Sequence, residues 1–132
     1  MLAWLLDEGL GAEVRRLLAA QDLVVASDLT LIECDRVLLR AAVVGGLSEG
    51  EAAGRRAHLA EVSSHWQILR ISPEIVDRAR RPFPGEPIRA LDAIHLASAL
   101  VACSAVPGLK LLSLDERVRR AGRAVGLELL PT

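Results

Sequence analysis

Four short apolar runs constrain this chain most: residues 23–26, 68–71, 109–114 and 127–130. Each is too short for a helix, and each is separated from the next by one or more segments of helical period. Alternation of this kind predicts a parallel α/β sheet with helices packed on it. A chain of 132 residues holds one such domain with a real core. No linker, repeat or low-complexity run divides it, so residues 1–132 are expected to form a single domain. Its hydrophobic fraction is 52%, much of it Ala, Leu and Val, which suits helices around a buried sheet.

Helical segments are predicted at 1–9, closed by Gly9, and at 12–20 with Val14, Leu17 and Leu18 on one face. The strand 23–26 comes next and leads into a turn at Ser27-Asp28. Thr30-Leu31-Ile32-Glu33 has the form of a capping box and opens a helix to about Val44, ended by Gly45-Gly46. Ser48-x-x-Glu51 repeats that form for a helix to about Ser64. After the strand 68–71, Ser72 and Pro73 supply an N-cap and a first-turn proline. A proline-rich loop, 82–87, precedes a helix over 91–103. The strand 109–114, a helix over 115–125 stopped by Gly126, and the strand 127–130 complete the chain. Two helices before the first strand are an unusual opening for a parallel sheet.

No apolar run is long enough to span a bilayer. The N-terminus lacks a basic start and reaches Asp7-Glu8 at once, unlike a signal peptide. A cytoplasmic location is expected. The net charge of −1 does not announce a nucleic-acid binder, yet every cation except Lys110 is Arg, the residue best shaped for phosphate. Trp4, Trp66 and Phe83 are the only aromatics, which argues against a base-stacking platform. Cys34 and Cys103 have neither metal nor redox spacing and read as buried free thiols.

Three acids stand out. Glu33 and Asp92 are predicted at helix starts, and Asp115 is predicted where a strand ends and a helix begins. In an open α/β sheet such positions converge on one edge, where ligands bind. Each acid has a purely structural explanation. Glu33 can cap its own helix or pair with Arg36, Asp92 can act as an N-cap, and Asp115 can be a first-turn acid favoured by the helix dipole. Taken together they suggest more. At about 5 Å and an effective dielectric near 20, each pair of carboxylates repels by roughly 3 kcal/mol, so a cluster needs a cation, a shared proton or Arg partners. Oxygen-only ligands suit Mg²⁺ or Mn²⁺ rather than zinc. His95, one turn beyond Asp92, reads either as a base or as a hydrogen-bonded core residue. His58 and His65 are seven residues apart, too far for a helical ligand pair, and read as surface residues.

The stretch Leu91-Asp92-Ala93-Ile94-His95-Leu96-Ala97-Ser98-Ala99-Leu100 resembles the signature helix of PIN-domain proteins, especially VapC-type toxins of toxin–antitoxin pairs. Leu29-Thr30-Leu31-Ile32-Glu33 resembles their second acidic motif, and Leu112-Ser113-Leu114-Asp115-Glu116-Arg117 their C-terminal part. The resemblance covers essentially the whole chain. It implies a three-layer α/β/α domain with a short parallel sheet and a metal-dependent ribonuclease activity on RNA phosphodiesters. Glu33, Asp92 and Asp115 would then hold Mg²⁺ or Mn²⁺, and Arg36 or Arg89 would steady the RNA backbone. A VapB-like antitoxin would be the protein partner. A homodimer is also expected, since the apolar first helices can pair two subunits.

PIN domains open with a central strand that carries an acid. Met1-Leu2-Ala3-Trp4-Leu5-Leu6 is similar to the segment just after that strand, so the resemblance implies that the strand and its acid are missing here. Asp7, at the far end of the first helix, does not replace it. Either translation starts upstream or the chain is truncated, and for the chain as given the expectation is weakened metal binding and little or no cleavage. The competing functional class is a non-catalytic binding module of the same fold held in a protein complex. A metal-dependent phosphatase is a weaker third possibility, because a fold does not fix a substrate.

Overall fold

The computed structural model describes residues 11–132. The helix expected over 1–9 lies outside the described residues. The chain divides into two compact units, Met1–Ile68 and Leu69–Thr132. Helices dominate both, and the fold is mixed α/β.

In the first unit, α1 (Gly11–Ala19) buries Val14 and leads to β1 (Val25–Ser27). Helix α2 (Asp28–Val43) starts two residues before the expected Thr30. Its N-cap is Ser27, whose hydroxyl accepts a hydrogen bond from the Leu29 N–H at 3.0 Å. Ser27 thus satisfies one of the helix's orphan donors, and Asp28 supplies first-turn negative charge. Thr30-x-x-Glu33 is therefore not a capping box, and Glu33 sits in the second turn. Leu29, Cys34 and Leu38 form the buried stripe of α2. A turn through Gly45, at φ 85°, releases the chain, as the Gly pair predicts.

Helix α3 (Glu49–Ser63) has the predicted capping box in full. The Glu51 N–H donates to Ser48 Oγ at 3.0 Å, and the Ser48 N–H donates to Glu51 Oε1 at 3.3 Å. Ala52 and Leu59, two turns apart, face inward, and α3 packs on α2. Arg56 of α3 pairs with Asp35 of α2 at 3.1 Å. Strand β2 (Gln67–Leu69) pairs with β1. It is shorter than expected because Ser72, as the next N-cap, already belongs to the following helix.

The second unit opens with α4 (Pro73–Ala79), with Ser72 as N-cap and Pro73 in the first turn, as predicted. The proline-rich loop is stitched together by one side chain. The Glu86 carboxylate accepts from the Phe83 N–H at 3.2 Å and from the Ile88 N–H at 2.9 Å. Phe83 is thereby turned into the core, and the Arg78 guanidinium lies 4.0 Å from its ring centre. Helix α5 (Ala90–Ala105) packs on α4. The core gathers Ile75, Phe83, Ala93, Leu96, Ala97, Val118 and Leu127.

Strands β3 (Leu111–Leu112) and β4 (Leu129–Leu130) are parallel, with Leu111 opposite Leu129 and Leu112 opposite Leu130. The connection between them is α6 (Glu116–Ala124), a short strand–helix–strand unit. The expected strand 109–114 shrinks because its partner offers two residues before Pro131, which has no N–H to donate. Gly122 lets α6 come close. A Cβ there would meet Leu111 Cδ2 at 3.3 Å and Leu129 Cδ2 at 3.4 Å. Among the described residues the strands form two pairs, β1–β2 and β3–β4. No helix among these residues is long and apolar enough to cross a membrane.

Candidate functional site

Asp92 is the third residue of α5, not its N-cap. The cap position belongs to Arg89, whose side chain makes no capping bond. The carboxylate stands in the first turn, where free backbone N–H groups and the helix dipole favour an anion. Asp92 is half-buried, and no hydrogen bond or ion pair engages it among the described residues. Ala93 and Leu96, next to it and one turn on, are core residues. The acid is therefore held at the rim of an apolar cluster by the packing of its own helix.

Asp115 has a different setting. It is the N-cap of α6, and its Oδ1 accepts from the Arg117 N–H at 2.8 Å and the Val118 N–H at 3.4 Å. Its Oδ2 lies 3.8 Å from an Arg117 terminal nitrogen. Asp115 is therefore the cap itself and not a first-turn acid. Ser113 Oγ accepts from the Asp115 N–H at 3.2 Å, fixing the turn between β3 and α6. One carboxylate oxygen thus serves the helix, and the other is turned toward an exposed arginine.

Asp92 and Asp115 both belong to the second unit, and the helices they open, α5 and α6, pack on one another. Glu33 belongs to the first unit, half-buried on α2 between Ile32, which is exposed, and Cys34, which is buried. Among the described residues, no group of three or more His, Cys, Asp or Glu side chains is gathered to hold a metal ion. The donor chemistry of the three acids nonetheless suits a hard divalent cation, since each offers carboxylate oxygen and no sulfur or imidazole.

The remaining candidates fall on both sides of expectation. His95 is half-buried one turn from Asp92, whereas His58 and His65 are exposed, as predicted. Arg36 and Arg89 are exposed. Both cysteines are free. Burial pushes the Cys34 thiol up from 9.0 to about 11, and the neighbouring Glu33 and Asp35 add in the same direction. Cys34 is thus protonated at neutral pH and is no nucleophile. Cys103 is only partly buried, and its thiol is also raised by desolvation.

A cavity of about 300 Å³ in the first unit is lined by Leu18, Asp22, Val24, Glu61, His65 and Trp66, among others, and by none of the three acids. Asp92 and Asp115 stand at the starts of their helices, and Glu33 stands in the second turn of α2, all outside this lining.

Sequence reasoning missed Ser27 as a cap and Arg119 altogether. A signal for Ser27 was present, since Ser-Asp directly precedes the apolar stripe of α2. Arg119 lies three residues before Gly122 on the face that packs on the strands, and that spacing marks it off from Arg117 and Arg120.

Residues 1–124 match the PIN domain family. No curated protein matches the chain. The PIN domain is a nuclease-type fold, its members are commonly nucleases that use divalent metal ions, and it fits RNA binding.

Proposed function

The chain belongs to the PIN domain family, and from that premise we propose that it is a metal-dependent endoribonuclease that hydrolyses RNA phosphodiesters. Residues 1–132 act as one domain in this reading, supported by a family match that runs through both compact units. Glu33, Asp92 and Asp115 are the proposed ligands for Mg²⁺ or Mn²⁺. The biological role is that of a VapC-type toxin acting in the cytoplasm, restrained by a VapB-like antitoxin and assembled as a homodimer.

The observation that carries the proposal is the Asp92 carboxylate, half-buried at a helix start with no hydrogen bond or ion pair among the described residues. A carboxylate at the edge of an apolar cluster is stabilised when something charged meets it in the working state. Asp115 supports the same reading. Two backbone N–H groups hold its Oδ1, which keeps the carboxylate in one orientation. Glu33, Asp92 and Asp115 would hold the divalent ion, which would supply Lewis-acid polarisation of the phosphate. The chain's own part is to place the carboxylates and to bind the substrate. Arg89, exposed at the start of the Asp92 helix, and Arg36, exposed on the Glu33 helix, are suited to grip phosphate oxygens.

The test is cleavage of a defined RNA with Mn²⁺ or Mg²⁺, alongside Asp92→Asn. Cleavage that needs the metal and falls roughly a hundredfold in the variant, the scale of removing one charge-stabilising group from a site, supports the proposal. RNA left intact, together with no detectable Mn²⁺ binding by calorimetry, would overturn it and favour the binding module.

A further inference from the structure

Arg119 lies in the middle of α6 with its side chain only 14% exposed; its Nε is 4.0 Å from a Glu116 carboxylate oxygen, and both terminal nitrogens go to backbone carbonyls. Nη1 donates to the Ser113 carbonyl at 2.7 Å and to the Leu130 carbonyl at 3.1 Å. Nη2 donates to the Pro131 carbonyl at 2.7 Å. These acceptors sit just where β3 and β4 end. The parallel ladder is already closed there by the Ser113 N–H, which donates to the Leu130 carbonyl at 3.1 Å. Arg119 therefore adds something the ladder does not supply: it fixes the direction in which the chain leaves β3.

Asp115 is two residues further on. Ser113, whose carbonyl Arg119 holds, accepts the Asp115 N–H on its hydroxyl at 3.2 Å. Asp115 then caps α6, and its own carbonyl accepts the Arg119 N–H at 2.9 Å. The contacts close a ring that runs from α6 through the guanidinium to Ser113, on to Asp115 and back to α6. The geometry points to Arg119 as the positioning residue for Asp115, holding the β3–α6 turn so that Oδ1 stays on the helix and Oδ2 stays on the outer side beside Arg117, from which a cation would have to take it. The inference rests on the reading of Asp115 as a site acid. A guanidinium suits the task because its planar fork serves several acceptors at once and keeps its charge when buried. A lysine of similar length brings a single nitrogen to the same place.

The test uses the full chain with Arg119→Lys and Arg119→Gln, read in three ways: the carboxyl ¹³C resonance of Asp115, Mn²⁺ affinity, and the split between kcat and KM for RNA. The resonance is assigned with Asp115→Asn. We expect the Asp115 signal to move while those of Asp92 and Glu33 stay, Mn²⁺ affinity and kcat to fall by about 10- to 100-fold, and KM for RNA to hold. Arg119→Lys, with the smaller perturbation, decides the matter if Arg119→Gln does not fold. A folded variant with the Asp115 resonance unmoved and Mn²⁺ affinity within about twofold of the parent overturns the inference, because a mere staple between strands would behave that way. If the parent itself neither binds Mn²⁺ nor cuts RNA, the nuclease reading has failed. The Asp115 resonance alone then rules on the positioning role, supporting it if it moves and refuting it if it does not.

Discussion

Helices α5 and α6 begin in opposite ways within the same unit. Helix α5 starts from Arg89, which caps nothing, and carries Asp92 in its first turn with no bond to it among the described residues. Helix α6 starts from Asp115, whose carboxylate caps two backbone N–H groups. Among the described residues, the first acid makes no bond and the second caps its helix. The difference teaches that helix-start acids cannot be sorted by position alone, and that function and stability should separate cleanly at Asp92 and overlap at Asp115.

The largest effect that would sharpen the contrast is on cleavage by Asp115 variants. Asp115→Asn keeps an equally good cap but replaces a charged oxygen with an amide, so cleavage should drop roughly a hundredfold with little change in thermal midpoint. Asp115→Ala should lose the same activity and also about 1 kcal/mol of stability, measured by urea unfolding. Equal stability for the two variants would break the distinction. Ser48→Ala, which removes the capping box of α3, calibrates the scale. It should cost about 1 kcal/mol and leave RNA cleavage unchanged. The smallest effect is expected at Asp92→Asn, within about 0.5 kcal/mol in stability despite its loss of activity. A destabilisation well beyond that would mean Asp92 is employed after all.

The sequence shows clearly which features are local. Ser48-x-x-Glu51, Ser72-Pro73 and the Gly45 stop were legible because the responsible groups lie within four residues of one another. The helix expected over 91–103 was legible from its largely apolar sequence and extends by one residue at its start and two at its end. Strand lengths were not, since pairing is decided by the partner: the run 109–114 has a Leu at every position but Lys110 and Ser113, yet β4 ends at Pro131 and allows two paired residues. The start of α2 was misplaced because Thr30-x-x-Glu33 and Ser27-Asp28 compete as caps, and Ser27 wins by already lying in extended backbone, at φ −75° and ψ 149°. At the candidate site, the identities of the acids came from sequence. Their different duties did not, because whether a carboxylate reaches a backbone N–H depends on a turn that Ser113 and Arg119 set from a distance.

Cys34, with 1% of its surface exposed, sets an alkaline limit on the fold. Folding holds its proton up to about pH 11, whereas an ordinary thiol releases it near 9.0. Below that lower value both states are neutral and the residue is indifferent to pH. Between the two the unfolded chain ionises and the native chain does not, so native stability should decline with rising pH, by about 1.4 kcal/mol for each unit. A buried sulfhydryl thus gives α2 a sensitivity to base that its sequence neighbours do not announce.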